Sequence, residues 1–372
     1  MNQDASFFAR LVALFCAAAC LTPAPFAMGQ GESSSRAAAV LDSMPHAKKV
    51  DQAALSPDGN QVAYAVDGQL TVAALSDGSS HAVSVEGKLP LRELAWSADS
   101  KQMAFLADLP GEIPAAQLWT AALDGSAPVK RAELKGYAQT PRFSPDGATI
   151  AVLFIEGLPR IAGPLQPMTP LSGVVGEKIY EQRLAAVDLA SNRLKQVTPA
   201  DIYVYEYDWA PDGQSWAAIA AHGNGDANWW VARLYRVDGH NGEMHEIYKP
   251  KLQIADPHIS PDGKNVALVE GVMSDAGLTG GDIQVVPLSG GAARNLTPGI
   301  KASPSQVSWA APDRIVFAQN LDGNSSFAAI NLNGGAVQKL WSGEETVGST
   351  TDAWVPGASF SRDASNVAVV RQ

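Results

Sequence analysis

The stretch Ile259-Ser260-Pro261-Asp262-Gly263-Lys264-Asn265-Val266-Ala267-Leu268 constrains the fold most, because its turn chemistry recurs along the chain. Pro261 pre-sets the backbone for a tight turn, Ser260 and Asp262 can hydrogen-bond the local main chain, and Gly263 tolerates the left-handed position that reverses direction. Val266 and Leu268 then open a half-buried strand. The apolar residue before each such turn serves as an anchor: Leu55, Trp96, Phe143, Trp209, Ile259, Trp309 and Phe360. The anchors are spaced 41, 47, 66, 50, 50 and 51 residues apart. Behind six of them an apolar residue returns seven positions on, at Val62, Met103, Ile150, Trp216, Val266 and Val367, and an Ala follows each. The sixth turn is one residue shorter, and Ile315-Val316-Phe317 takes that place. Pro-Asp-Gly is intact at Pro57, Pro145, Pro211 and Pro261 and degraded in the other three. A period of this length with hairpin chemistry predicts an all-β, seven-bladed β-propeller.

Bulk properties agree. A chain of 372 residues can form one propeller, and 46% apolar content supplies its core. A net charge of −11 argues against nucleic acid, whose phosphates demand a basic surface. At the N-terminus Arg10 precedes the apolar run Leu11 to Leu21, too short to span a bilayer and suited to a signal peptide over 1–29. Ala27-Met28-Gly29 offers the cleavage site before Gln30; the rival is a lipoprotein site ending at Cys20. Cys16 and Cys20 both lie in this segment, so neither a disulfide nor thiol chemistry is expected of the exported chain. A periplasmic or secreted location follows as an expectation.

Residues 30–49 read as a Ser/Ala-rich leader and 50–372 as the propeller. Each blade should run hairpin, third strand, turn, fourth strand. In blade one these are Gln69 to Leu75, Ser76-Asp77-Gly78 and His81 to Val85; blades five and six repeat the pattern around Gly290-Gly291 and Asn333-Gly334. Almost no helix is expected. Blade three carries an insert between Glu156 and Glu181, a loop because it holds four prolines. Blade four carries His222 to Trp230, a Gly/Asn loop ending in paired tryptophans. Only twelve residues follow Phe360, so the last blade is expected to be unfinished, with an edge strand open to another chain.

The hairpin pattern resembles the Trp-Ser-Pro-Asp-Gly repeats of TolB-like propellers and of the prolyl oligopeptidase family of serine peptidases. The run Tyr203-Val204-Tyr205-Glu206-Tyr207-Asp208-Trp209 with Asn228-Trp229-Trp230, and the insert from Gly163-Pro164 to Glu181-Gln182-Arg183, are similar to the acylaminoacyl-peptidase and dipeptidyl-peptidase types. That resemblance implies a propeller that precedes an α/β-hydrolase domain, which carries the Ser, Asp and His and gives acyl-transfer chemistry. The sequence departs from it by holding no Gly-x-Ser-x-Gly nucleophile elbow; Gly357-Ala358-Ser359-Phe360-Ser361 lacks the last Gly. No catalytic residue is therefore assigned, the hydrolase domain is expected to be missing, and no cofactor is implied. The partners expected are a peptide substrate or a protein, with neither nucleic acid nor a membrane span.

Three substrate-binding candidates stand out. The resemblance implies that Glu206 holds a peptide's N-terminal ammonium; the plain alternative is an outward, solvated strand residue. Trp229 and Trp230 either line a peptide-binding rim or cap the propeller core. The six histidines show no metal-ligand spacing, and Asp58, Asp146, Asp212 and Asp262 read as turn formers.

Overall fold

The computed structural model describes residues 50–159, 180–223, 225–273, 279–345, 347 and 357–370, with Ala39 and Ser43. The expected signal peptide, most of the leader and the core of the blade-three insert lie outside the described residues. The chain divides into two units, Met1–Lys48 and Lys49–Gln372, and only the second is described below.

Its strands form antiparallel meanders in chain order. The first is Val50–Leu55, Gln61–Val66, Gln69–Ala74 and Ser80–Val83. The fourth to sixth begin with Ile202–Trp209, Gln253–Ile259 and Ser303–Ala311, each followed by three more strands, and a hairpin of Ala358–Phe360 with Val367–Val369 ends the series. The expected strand limits of the first meander hold to within two residues or so, because Gly78 fixes the turn between its third and fourth strands at φ 71°. One expectation is corrected: Gly225–Val231, read as a loop, is a short 3-10 turn.

The second and third meanders are fused. Fifteen residues, Val129–Phe143, form one strand whose first half pairs with Ala115–Thr120 and whose second half pairs with Ile150–Glu156, making a seven-stranded sheet. Gly136 sits at the changeover with φ 142°, where an added Cβ would lie 2.0 Å from the carbonyl oxygen of Ile155. Only Gly fits that approach.

The reverse turns follow the residue chemistry. Ser56 donates its hydroxyl to Asp58 Oδ1 at 2.6 Å, Asp58 Oδ1 accepts from Asn60 N, and Ser56 Oγ accepts from Gln61 N at 2.9 Å. The same net closes at Ser144/Asp146 and Ser260/Asp262. These bonds hold the Asp58, Asp146 and Asp262 carboxyls below the usual carboxylate range, chiefly through the Ser hydroxyl. In the degraded turns Ser100 (φ 61°) and Ala364 (φ 53°) occupy the left-handed position that Gly fills elsewhere.

The repeated apolar-Ala pair acquires a meaning here. Strand side chains alternate faces, so the apolar residue packs on the preceding meander and the Ala on the following one. Met103 joins the cluster shared with the first meander and Ala104 the cluster shared with the third. Trp216 and Ala217 divide likewise, as do Val266 and Ala267. Those alanines are fully buried. Enlarging one would wedge neighbouring sheets apart at a cost of about 1–3 kcal/mol. Among the described residues no helix is long and apolar enough to cross a membrane.

Candidate functional site

The first strands of the meanders face one another around a central cavity of about 240 Å³, reached by Gln52, His258, Gln306, Ser308 and Ser359. Each first strand of the six meanders carries a register irregularity two to five residues before its anchor. Such bulges re-aim a side chain. The residue three before the anchor is thereby turned sideways onto the next meander. It is Gln52, Glu93, Thr140, Glu206, Asp256 or Gln306, with Glu93, Thr140 and Asp256 at φ 57°, 50° and 58°.

Five of these six side chains clamp the next first strand. Gln52 Oε1 accepts from Leu94 N at 2.7 Å while its Nε2 donates to Leu94 O at 3.2 Å. Gln306 grips Ala358 the same way, at 3.3 and 2.6 Å. Glu93 Oε2 accepts from Thr140 N at 3.1 Å, Glu206 Oε2 from Asp256 N at 2.5 Å, and Asp256 Oδ2 from Val307 N. A second device alternates around the ring: the indoles of Trp96, Trp209 and Trp309 donate to the carbonyls of Ala54, Arg142 and His258, each one residue before the preceding anchor. The terminal hairpin meets the first meander through Leu55 N donating to Ser359 Oγ at 2.9 Å and Arg362 N to Pro57 O at 2.8 Å.

On the third to fifth meanders the polar groups become an ionic cluster. Arg142 Nη1 donates to Asp208 Oδ1 at 2.9 Å, and Asp208 Oδ2 accepts from Ile259 N at 2.8 Å. The Arg142 guanidinium lies 5.5 Å over the Tyr207 ring, whose hydroxyl donates to Thr140 O at 2.6 Å. His258 Nε2 stands 3.2 Å from Asp256 Oδ1 and its Nδ1 3.8 Å from Asp208 Oδ2. Burial disfavours charge on His258, yet Asp256 and then Asp208 more than offset it and raise its pKa. Glu206 responds oppositely. Burial first, and the Asp256 charge second, push its carboxyl up to about 8. Its Oε1 makes no hydrogen bond among the described residues. The cluster can thus take up or release a proton near neutral pH and offers an oxygen to a cationic group.

The three sequence candidates separate. Glu206 is turned inward onto the fifth meander rather than outward into solvent. Trp229 is buried, stacks on Tyr205 at 5.2 Å and donates its indole N–H to Ile254 O at 3.0 Å, within the core between the fourth and fifth meanders. Trp230 is 70% exposed. The structure therefore brings none of the three together. Arg142, Asp208, Asp256 and His258 were missed, although residues three and one before each anchor carried the signal. Among the described residues no three His, Cys, Asp or Glu side chains are grouped to hold a metal.

No family model matches the chain. Over 169 residues it is 26% identical to an uncharacterised peptidase, YuxL, of Bacillus subtilis (strain 168), a stretch of 45% of this chain and 20% of that protein. The match thus spans about a fifth of that relative's length. An acylaminoacyl peptidase from Pyrococcus horikoshii superposes with a TM-score of 0.61 at 14% identity, over 88% of this chain and 49% of that one. A TolB-assigned protein from Agrobacterium tumefaciens superposes with a TM-score of 0.50 at 16% identity, over 87% of this chain and 91% of that one. Together with the antiparallel meanders, these likenesses show an all-β, propeller-type fold of the kind found in peptidases and TolB-type proteins.

Proposed function

We propose that this chain is the N-terminal, seven-bladed propeller of an exported serine peptidase of the prolyl oligopeptidase type, admitting peptides along its central channel and binding their free N-termini. The terminal hairpin counts as belonging to the seventh blade. The observation that carries the reading is the cluster of ionisable side chains at Glu206, Asp256, Asp208 and Arg142. Gln52 and Gln306 close the ring with neutral amides, so ring closure alone does not need carboxylates. Glu206 keeps Oε1 open, where a peptide ammonium would restore its negative charge by a charge-assisted hydrogen bond.

The opposite ends of the meanders also differ. The turns between second and third strands share one end of a meander by antiparallel geometry. There Ile113, Trp230, Val231 and Val272 are 57–72% exposed. Large apolar residues gathered at one end suit a partner domain. In the proposed enzyme that domain is the α/β-hydrolase, and the chain by itself hydrolyses no peptide.

The test is to express the full reading frame and follow hydrolysis of free-amino and N-acylated peptide substrates, with Glu206→Gln beside the parent. The proposal expects labelling by a fluorophosphonate serine probe and a KM raised about tenfold for free-amino substrates only, the loss of one charge-assisted hydrogen bond. An unlabelled full-length product, or equal KM changes for both substrate kinds, would overturn it. The second reading is a TolB-like periplasmic scaffold that binds a protein and catalyses nothing, favoured by the match to nearly the whole TolB-assigned chain.

A further inference from the structure

Between the third and fourth meanders, at the end that carries the Ser-Pro-Asp-Gly turns, lies a groove of about 650 Å³. Trp216 forms part of its lining, tilted against Trp209 at a ring separation of 4.4 Å. Trp216 is 3% exposed, and its indole Nε1 has no hydrogen-bond partner among the described residues. The equivalent positions on the second, fifth and sixth meanders are Met103, Val266 and Ile315, which bring no polar atom to the same place. A buried N–H without an acceptor is rare, because its desolvation is uncompensated. The residue that carries it is also one of those lining the groove.

The rim supplies charge. Arg193 and Lys195 stand exposed on the fourth strand of the third meander, and Lys195 Nζ reaches the His240 carbonyl at 3.0 Å on the other wall. Asp188 is the opposing carboxylate, and Ser191 already donates both its backbone N–H and its hydroxyl to Asp188 Oδ1, at 2.7 and 2.5 Å. The groove therefore has a cationic rim on a chain of net charge −11. Its size matches pockets that enclose a few residues of peptide.

We infer that this groove binds an acidic, extended peptide segment, acidic side chains meeting Arg193 and Lys195 and one backbone carbonyl accepting from Trp216 Nε1 once the groove wall shifts to uncover it. The site is separate from the axial cluster and does not depend on the peptidase reading. Its test uses the full chain with 15N-labelled tryptophan, the Trp216 indole resonance being assigned with Trp216→Phe. Acetyl-Glu-Glu-Glu-amide, acetyl-Gln-Gln-Gln-amide and acetyl-Lys-Lys-Lys-amide are titrated to ~10 mM, where even weak binding registers. The glutamate peptide should move the Trp216 resonance downfield and saturate, with the glutamine peptide about tenfold weaker and the lysine peptide weaker still. Arg193→Gln with Lys195→Gln should weaken the glutamate peptide about tenfold, as the loss of two exposed ion pairs implies. Trp216→Phe, which keeps an aromatic ring on the groove wall but lowers the melting temperature by opening a core cavity, should weaken all binding when compared well below that temperature. A Trp216 resonance that never moves, equal response to the three peptides, or affinity indifferent to Arg193 and Lys195 would each overturn the inference.

Discussion

The same position, three residues before an anchor, is built in two chemistries on two sides of the channel. On one side Gln52 and Gln306 grip both the N–H and the C=O of a single residue in the next blade. On the other side Glu206 and Asp256 only accept, and they sit beside Arg142, Asp208 and His258. The neutral pair is better mechanically, because each amide satisfies two backbone groups. The carboxylates leave lone pairs open and carry a desolvation cost. The proposed binding role would account for why the fold departs from an adequate neutral solution on adjacent blades.

The largest effect should come from breaking the charged side. Arg142→Met strips Asp208 of its partner beside two further carboxylates. We expect a loss of about 2–3 kcal/mol in chemical denaturation, below the cost for a wholly buried pair because Arg142 is 33% exposed. A loss under 0.5 kcal/mol would mean that the cluster is solvated and idle. Breaking the neutral side is next. Gln306→Ala abandons the amide and carbonyl of Ala358 and should cost about 1–2 kcal/mol, by the same amount at pH 5 and pH 9.

The third experiment converts one chemistry into the other. The folded-state pKa of Glu206 is raised to about 8 from an ordinary 4.5, so the folded protein holds an extra proton between those values. Its contribution to stability is full below about pH 4.5 and falls as pH rises toward 8. His258, also raised, adds a loss of the same sign as pH rises through its folded pKa. Glu206→Gln should therefore leave the melting temperature unchanged at pH 5 and raise it by a few degrees at pH 8.5. An equal shift at both pH values would show that Glu206 does not titrate in that window. The smallest effect concerns the turns, which both sides share. Ala364→Gly relieves a left-handed Ala and should stabilise by about 0.5–1 kcal/mol, whereas Gly263→Ala should destabilise by at least as much.

The turns and the axis also differ in how far the sequence disclosed them. Ser56, Pro57, Asp58 and Gly59 act on each other within five residues, so their spacing announces the turn wherever it occurs. The apolar-Ala pair disclosed the blades for the same reason. The clamps were hidden because Gln52, Glu206 and Gln306 find partners 42–52 residues away. The bulges conceal them further by breaking strand alternation where the side chain turns. The fused strand was equally hidden, since a run from Val129 to Phe143 looks like two strands until Gly136 is seen to keep it whole. Trp229 left a rim and a core reading open because aromatic pairs mark both, and its indole partner, Ile254, belongs to another blade.

That fused strand has a mechanical consequence. The other junctions between neighbouring blades rely on side chains and apolar contact with at most an isolated main-chain bond, such as Leu91 N to Gly68 O at 2.9 Å or Val204 N to Gln182 O at 2.7 Å, and the junction to the terminal hairpin adds a few backbone and hydroxyl contacts. The second and third blades instead share an unbroken ladder of main-chain hydrogen bonds through Val129–Phe143. Held between attachment points near residues 50 and 370 and stretched, the ring should part first at the hairpin, then between single blades. The seven-stranded sheet should yield last, as one force step that lengthens the tether by two blades' worth of chain.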